Sequence, residues 1–123
     1  MILQKIDLDF SVCKIENINS IDFTGEFVFL SKTDDEISLV CESRYVPDNA
    51  VAVEPDWKAL KIAGVLDFNM TGVIAGISNI LSQAGISIFV ISTYNTDYIL
   101  VKSYDYDNAV VLLSNAGYVI NQT

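Results

Sequence analysis

Histidine is absent from this 123-residue chain. That removes the commonest general base, the Ser-His and Cys-His nucleophile pairs, and most transition-metal sites. Cysteine is scarce too. Cys13 and Cys41 stand too far apart for a CxxC metal or redox motif. Both fall in apolar strand-like runs, so reduced buried thiols and a disulfide stay open, and the general burial of cysteine weighs toward thiols. Positive charge is short, with 7 Lys+Arg against 16 Asp+Glu and a net charge of −9. The pI is about 4.1. A basic footprint for phosphate backbones or anionic lipid is therefore missing, which argues against nucleic-acid and membrane partners. No apolar run is long enough to cross a bilayer. Met1 to Phe10 is broken by Lys5, Asp7 and Asp9, unlike the apolar core of a signal peptide. These absences predict a cytoplasmic protein.

What is present is an apolar-rich composition. Hydrophobic residues make up 51%, and mean hydropathy is +0.38. That suffices for a packed core in one ordinary domain or two small halves sharing a core, and argues against disorder. Surplus apolar surface on so short a chain points to a homodimer.

The first half reads as strands. Ile6, Leu8, Phe10 and Val12 alternate with Asp7, Asp9 and Ser11, the period of a strand with one buried face. Glu16 to Thr24 is polar and turn-rich, enough for one or two helical turns. Phe27 to Leu30 and Glu36 to Cys41 flank a charged turn and predict a hairpin. Val46 to Pro55 holds both prolines and reads as an extended connector.

The second half follows a β-α-β-β-α-β order. Lys58 to Val65 is strand-like. A helix over about Thr71 to Ala84 places Val73, Ile77, Ile80, Leu81 and Ala84 on one face, with Gly85 ending it. Ser87 to Ser92 and Asp97 to Lys102 read as neighbouring strands. A second helix opens near Asp105 or Asp107 as cap, buries Ala109, Val110, Leu113 and Ala116, and stops at Gly117. Tyr118 to Ile120 closes the sheet. The expected fold class is α+β: ferredoxin-like sandwiches, antiparallel sheets with helices on one face, in two tandem halves. The predicted halves are 1–53, incomplete and with its second helix missing, and 54–123, complete.

Two turns carry the chemistry. Leu66 to Val73 is a polar, Gly-containing turn between an apolar strand and an amphipathic helix. Such a turn directs backbone N–H groups and a helix dipole at one spot, which suits a carboxylate. Ser92 to Asp97 is a second polar turn, with hydroxyls and one carboxylate. Donors on one turn and a carboxylate on the other fit a zwitterionic amino acid. The plainer alternatives are a tight turn at Gly72, an N-cap at Thr71 and a turn-closing hydroxyl at Thr93. Tyr94, Tyr98, Tyr104 and Tyr106 read as packing residues or as pocket lining. Asp34-Asp35-Glu36 is a solvated turn; it lacks the oxygen spacing of a Ca²⁺ loop, and no metal or cofactor is implied.

The strings Trp57-Lys58-Ala59-Leu60, Leu66-Asp67-Phe68, Thr71-Gly72-Val73, Gly85 to Phe89 and Ile91 to Val101 together resemble the ACT domain. With Thr33 to Cys41 they extend the resemblance over nearly the whole chain, to short stand-alone proteins with two tandem ACT-like halves. The same pair is similar to that of the animal cytosolic arginine sensors, which hold their amino acid between two ACT units. By motif position the resemblance implies ligand contacts at Ser38, Gly72, Val73, Thr93 and Asp97, with Met70, Thr71 and Tyr94 beside them. Met70 departs from the acidic residue of the arginine sensors, so the resemblance implies an amino acid but not arginine. The expected function is a regulatory amino-acid-binding module and not an enzyme. The ligand would sit between the halves or at a dimer interface and act on a regulated protein partner. A ligand-free interaction module pairing sheet edges is the alternative, and an enzyme using Asp97 and Tyr98 for acid–base work a third.

Overall fold

The computed structural model describes residues 1–63 and 72–122. Seven strands and two helices follow in chain order: β1 (Ile2–Ile15), β2 (Val28–Lys32), β3 (Ile37–Glu42), β4 (Ala52–Ile62), α1 (Val73–Gln83), β5 (Ile88–Ser92), β6 (Asp97–Lys102), α2 (Ser103–Asn115) and β7 (Val119–Asn121). Single 3-10 turns stand at Ile18–Ser20 and Ser43–Tyr45. The architecture is α+β and is written twice. The run from β4 to β7 is β-α-β-β-α-β, and the run from β1 to β4 has the same order with a 3-10 turn in place of each helix. Both helices of the first run are thus reduced to one turn, where the sequence predicts that only the second is missing.

The chain divides into two compact units, Leu8–Trp57 and a second made of Met1–Asp7 with Lys58–Thr123. In the first, β2 and β3 form the expected antiparallel hairpin, Val28 opposite Cys41 through Lys32 opposite Ile37. β1 pairs antiparallel with β3 from Phe10–Glu42 to Ile15–Ile37. Cys13, Ile15, Leu39 and Cys41 build this unit's core, with Ile21, Val28, Ile37, Val46 and Ala50 against it. Ser11, Cys13 and Ile15 of β1 are buried here, and Ser11 is a residue that the simple alternation places outside. Its hydroxyl is satisfied by the Ser43 hydroxyl at 2.8 Å, as a buried polar group requires. Both cysteines are free.

In the second unit the strands run β1-β4-β6-β5, and β7 lies parallel on β1, with Ile2 opposite Val119. The first residues of the chain therefore build the sheet of its last. Ala63 N–H donates to the Ile2 carbonyl at 2.9 Å, and Val119 N–H to that of Met1 at 3.1 Å. One core joins Leu3, Leu60, Ile62, Ile99 and Val101 of the sheet to Ile77 and Leu81 of α1 and Ala109 and Leu113 of α2. Both helices thus cover the same sheet face. Each fully buried Leu or Ile contributes roughly 1.5–3 kcal/mol of transfer free energy.

Both helices end the same way. Gly85 N–H donates to Ser82 and Ile86 N–H to Leu81; Gly117 N–H donates to Ser114 and Tyr118 N–H to Leu113. With Gly85 at φ 73° and Gly117 at φ 100°, these are Schellman closures that satisfy the last carbonyls. The apolar residue after each glycine then packs on the core. Ala84 and Ala116, expected in the core, are exposed instead, because each sits at the cap where the chain leaves the helix. At its start α2 departs from expectation as well. Strand β6 runs straight into it, Lys102 holds the cap position, and no side chain caps it. Asp105 lies in the first turn, where its charge complements the dipole.

Candidate functional site

The hairpin between β5 and β6 is closed by its own threonines. Thr93 N–H donates to the Thr96 carbonyl at 2.9 Å. The Thr93 hydroxyl donates to that same carbonyl at 3.0 Å and accepts from Thr96 N–H at 3.4 Å. Its proton is therefore engaged within the turn, which leaves it to a ligand only as an acceptor. Thr96 is 2% exposed and its hydroxyl donates to the Ile62 carbonyl at 2.8 Å. That bond ties the hairpin tip to the end of β4, just before the chain leads to Gly72. Sequence reading missed Thr96, although the string Ser-Thr-Tyr-x-Thr-Asp-Tyr contains it.

Asp97 starts β6 and is half-buried. Ile99 and Val101 face the helices, so by strand alternation Asp97 faces them too. Among the described residues no hydrogen bond or ion pair engages its carboxylate. Tyr98 lies on the opposite face, with Lys61 Nζ 5.8 Å from its ring centroid.

Gly72 precedes α1 in the left-handed conformation, φ 79°, where other residues are strained. Its carbonyl accepts the first helical bond, from Gly76 N–H at 2.9 Å. A Cβ at Gly72 would meet nothing within 4 Å, so φ and not crowding calls for glycine. Val73 opens the helix and packs on the core. Among the described residues nothing accepts from the Val73, Ile74 and Ala75 N–H groups at its first turn. β5 begins beside the other end of α1, where Ser78, Ser82, Gly85, Ile86, Ser87 and Ile88 line a cavity of about 430 Å³. From first to last residue β5 advances roughly 13 Å, against about 15 Å for α1.

The other expected residues are spread differently. Met70 and Thr71 lie outside the described residues. Ser38, on β3 of the first unit, donates its hydroxyl to Glu36 Oε1 at 3.1 Å. Tyr94 is 80% exposed at the hairpin tip and Tyr104 81% exposed on α2. Tyr106 packs against the core of its unit. Burial, with Asp7 and Asp107 nearby, pushes its hydroxyl up to about 12. The four tyrosines therefore occupy separate environments. Among the described residues no His/Cys/Asp/Glu group of three or more is placed to hold a metal ion, and no helix is long and apolar enough to cross a membrane.

An ACT domain profile matches residues 52–115. No functionally curated protein matches at a significant level. A crystal structure of an Agobacterium tumefaciens protein is 33% identical, with a TM-score of 0.88 over 98% of this chain and 92% of that one. The ligand-free regulatory subunit of aspartate kinase from Thermus thermophilus has the same fold at 11% identity, with a TM-score of 0.63 over 94% of this chain and 95% of that one. Aspartate kinase of Clostridium acetobutylicum, described as an allosteric enzyme, shares the fold at 19% identity and a TM-score of 0.64, over 93% of this chain and 33% of that one. By this profile match over more than half its length, the chain belongs to the ACT domain family.

Proposed function

We propose that this protein is a regulatory module that binds a free amino acid at the end of α1. The observation that carries the reading is Asp97: a half-buried carboxylate on the helix-facing side of β6, unengaged among the described residues. In this reading it faces the start of α1, because β5 and α1 span similar lengths. The carboxylate takes the ammonium, and the Gly72–Val73 end of α1 takes the ligand's carboxylate. Thr93 adds an acceptor. The fold of an allosteric kinase and of a regulatory subunit supports regulation over catalysis. A homodimer is part of the reading, because Ile2 and Val119 pair side by side while 43% and 53% exposed.

The test is a thermal-shift screen over the twenty amino acids. One that binds the folded state raises stability by about 2.7 kcal/mol at a hundredfold excess over Kd. Uniform melting across the panel removes the reading.

A further inference from the structure

We propose that Ser92 is a second acceptor for the bound ammonium, forming with Asp97 a two-oxygen seat that requires two N–H donors and so disfavours tertiary amines. This rests on the amino-acid reading above and names the chemistry of its amine subsite. Ser92 and Asp97 are direct partners in the β5–β6 register. The neighbouring pair, Thr93 and Thr96, carries the cross-strand hydrogen bond. Ser92 and Asp97 therefore form a non-hydrogen-bonded pair, whose Cα atoms approach to about 4.5 Å. Directly opposed residues share a face, so the Ser92 hydroxyl stands beside the Asp97 carboxylate on the side covered by α1. Ser92 is exposed, and among the described residues no hydrogen bond occupies its hydroxyl. Thr93 cannot fill the same role equally, since its hydroxyl already serves Thr96 twice. A carboxylate and a hydroxyl at that separation converge on one nitrogen. Asp97 supplies the charge and takes one N–H, and Ser92 accepts a second, which primary and secondary ammonium groups carry and a tertiary one lacks.

Calorimetric titration tests this with the amino acid that binds tightest in the twenty-member panel and its N,N-dimethyl derivative, whose single N–H can serve Asp97 alone. In the wild type, N,N-dimethylation is expected to weaken binding at least about tenfold, the scale of one hydrogen bond to a charged group. Ser92→Ala should weaken the parent amino acid about tenfold and reduce the dimethyl penalty by the same factor, while Ser92→Thr restores both. Unchanged affinity in Ser92→Ala, with binding lost in Asp97→Ala, overturns the Ser92 role and leaves the amino-acid reading standing. An N,N-dimethyl penalty that persists in full in Ser92→Ala overturns the role as well. Full binding by Asp97→Ala, or no binding by the wild type, defeats the amino-acid reading itself.

Discussion

Thr33 and Thr93 close the two hairpins by one and the same bond: each N–H donates at 2.9 Å to the carbonyl three residues on, of Glu36 and of Thr96. Each hydroxyl also accepts from that third residue's N–H, at 3.2 Å for Glu36 and 3.4 Å for Thr96. The flanking strands keep step as well, β2 and β3 at 28–32 and 37–42, β5 and β6 at 88–92 and 97–102. The two hairpins diverge at one position. Glu36 is exposed, whereas Thr96 is buried and donates to Ile62.

That divergence gives the first prediction. Thr96→Val keeps the shape and removes the donor, leaving the buried Ile62 carbonyl unsatisfied. The cost is about 1–3 kcal/mol, read as a lowered denaturation midpoint. Glu36→Val in the first hairpin removes no such bond and should change stability by less than about 0.5 kcal/mol.

The Schellman closures give the second. Gly85→Ala meets no neighbour within 4 Å, so its cost isolates the backbone at φ 73°. The expected loss is about 1 kcal/mol. By contrast Leu81→Ala, which opens a cavity where Ile86 N–H closes the helix, should cost about 2–5 kcal/mol. Equal losses at the two sites would contradict this division between conformation and packing.

Much of this fold is legible in the sequence. Strand β6 falls at Asp97 to Lys102 as predicted, and Gly85 and Gly117 end their helices because glycine adopts φ > 0 without strain. What escaped was tertiary. Ser11 is polar yet buried, because Ser43 satisfies its hydroxyl from 32 positions away, and no local period signals that. The pairing of Ile2 with Val119 joins the chain's ends and leaves no trace in either segment. Pro55, read as part of a connector, lies inside β4, since proline's fixed φ is compatible with extended chain. Asp56 beside it has φ 69°, a conformation that Asp tolerates better than most residues. In the site, Asp97 was legible from its motif, whereas Thr96 and Ser92 acquire meaning only from cross-strand register.

Alkaline stability gives the third prediction. Burial, and next the neighbouring Cys13, push the Cys41 thiol from its ordinary 9.0 up to about 12. Burial raises the Cys13 thiol as well. Tyr106 rises from 10.0 to about 12. All three are neutral when protonated. Above the ordinary values the unfolded chain sheds these protons while the folded chain keeps them, so stability falls as pH rises. It should be unaffected by these groups below pH 9.0 and decline toward pH 12. Tyr106→Phe should flatten the upper part of the decline. Neither thiol should react with a disulfide reagent in the native protein near neutral pH, and both should react on unfolding.

The last prediction concerns Asp97. Its carboxylate is half-buried and, among the described residues, unengaged, so its removal breaks no bond that holds the hairpin. Thr93 and Thr96 close that turn by themselves. Asp97→Ala should therefore leave the denaturation midpoint of the ligand-free protein within about 0.5 kcal/mol of wild type. Binding is different, because the ammonium would enter a partly desolvated seat with no countercharge. The loss should be about 2–5 kcal/mol, and Asp97→Asn, which keeps the shape but not the charge, should recover little of it. Calorimetric titration of wild type and both variants with the tightest-binding amino acid provides the measurement. Destabilisation of the free protein by Asp97→Ala would instead make Asp97 a structural residue. Equal affinity for all three proteins would separate this carboxylate from the amine altogether and favour a module that pairs with other chains without a ligand.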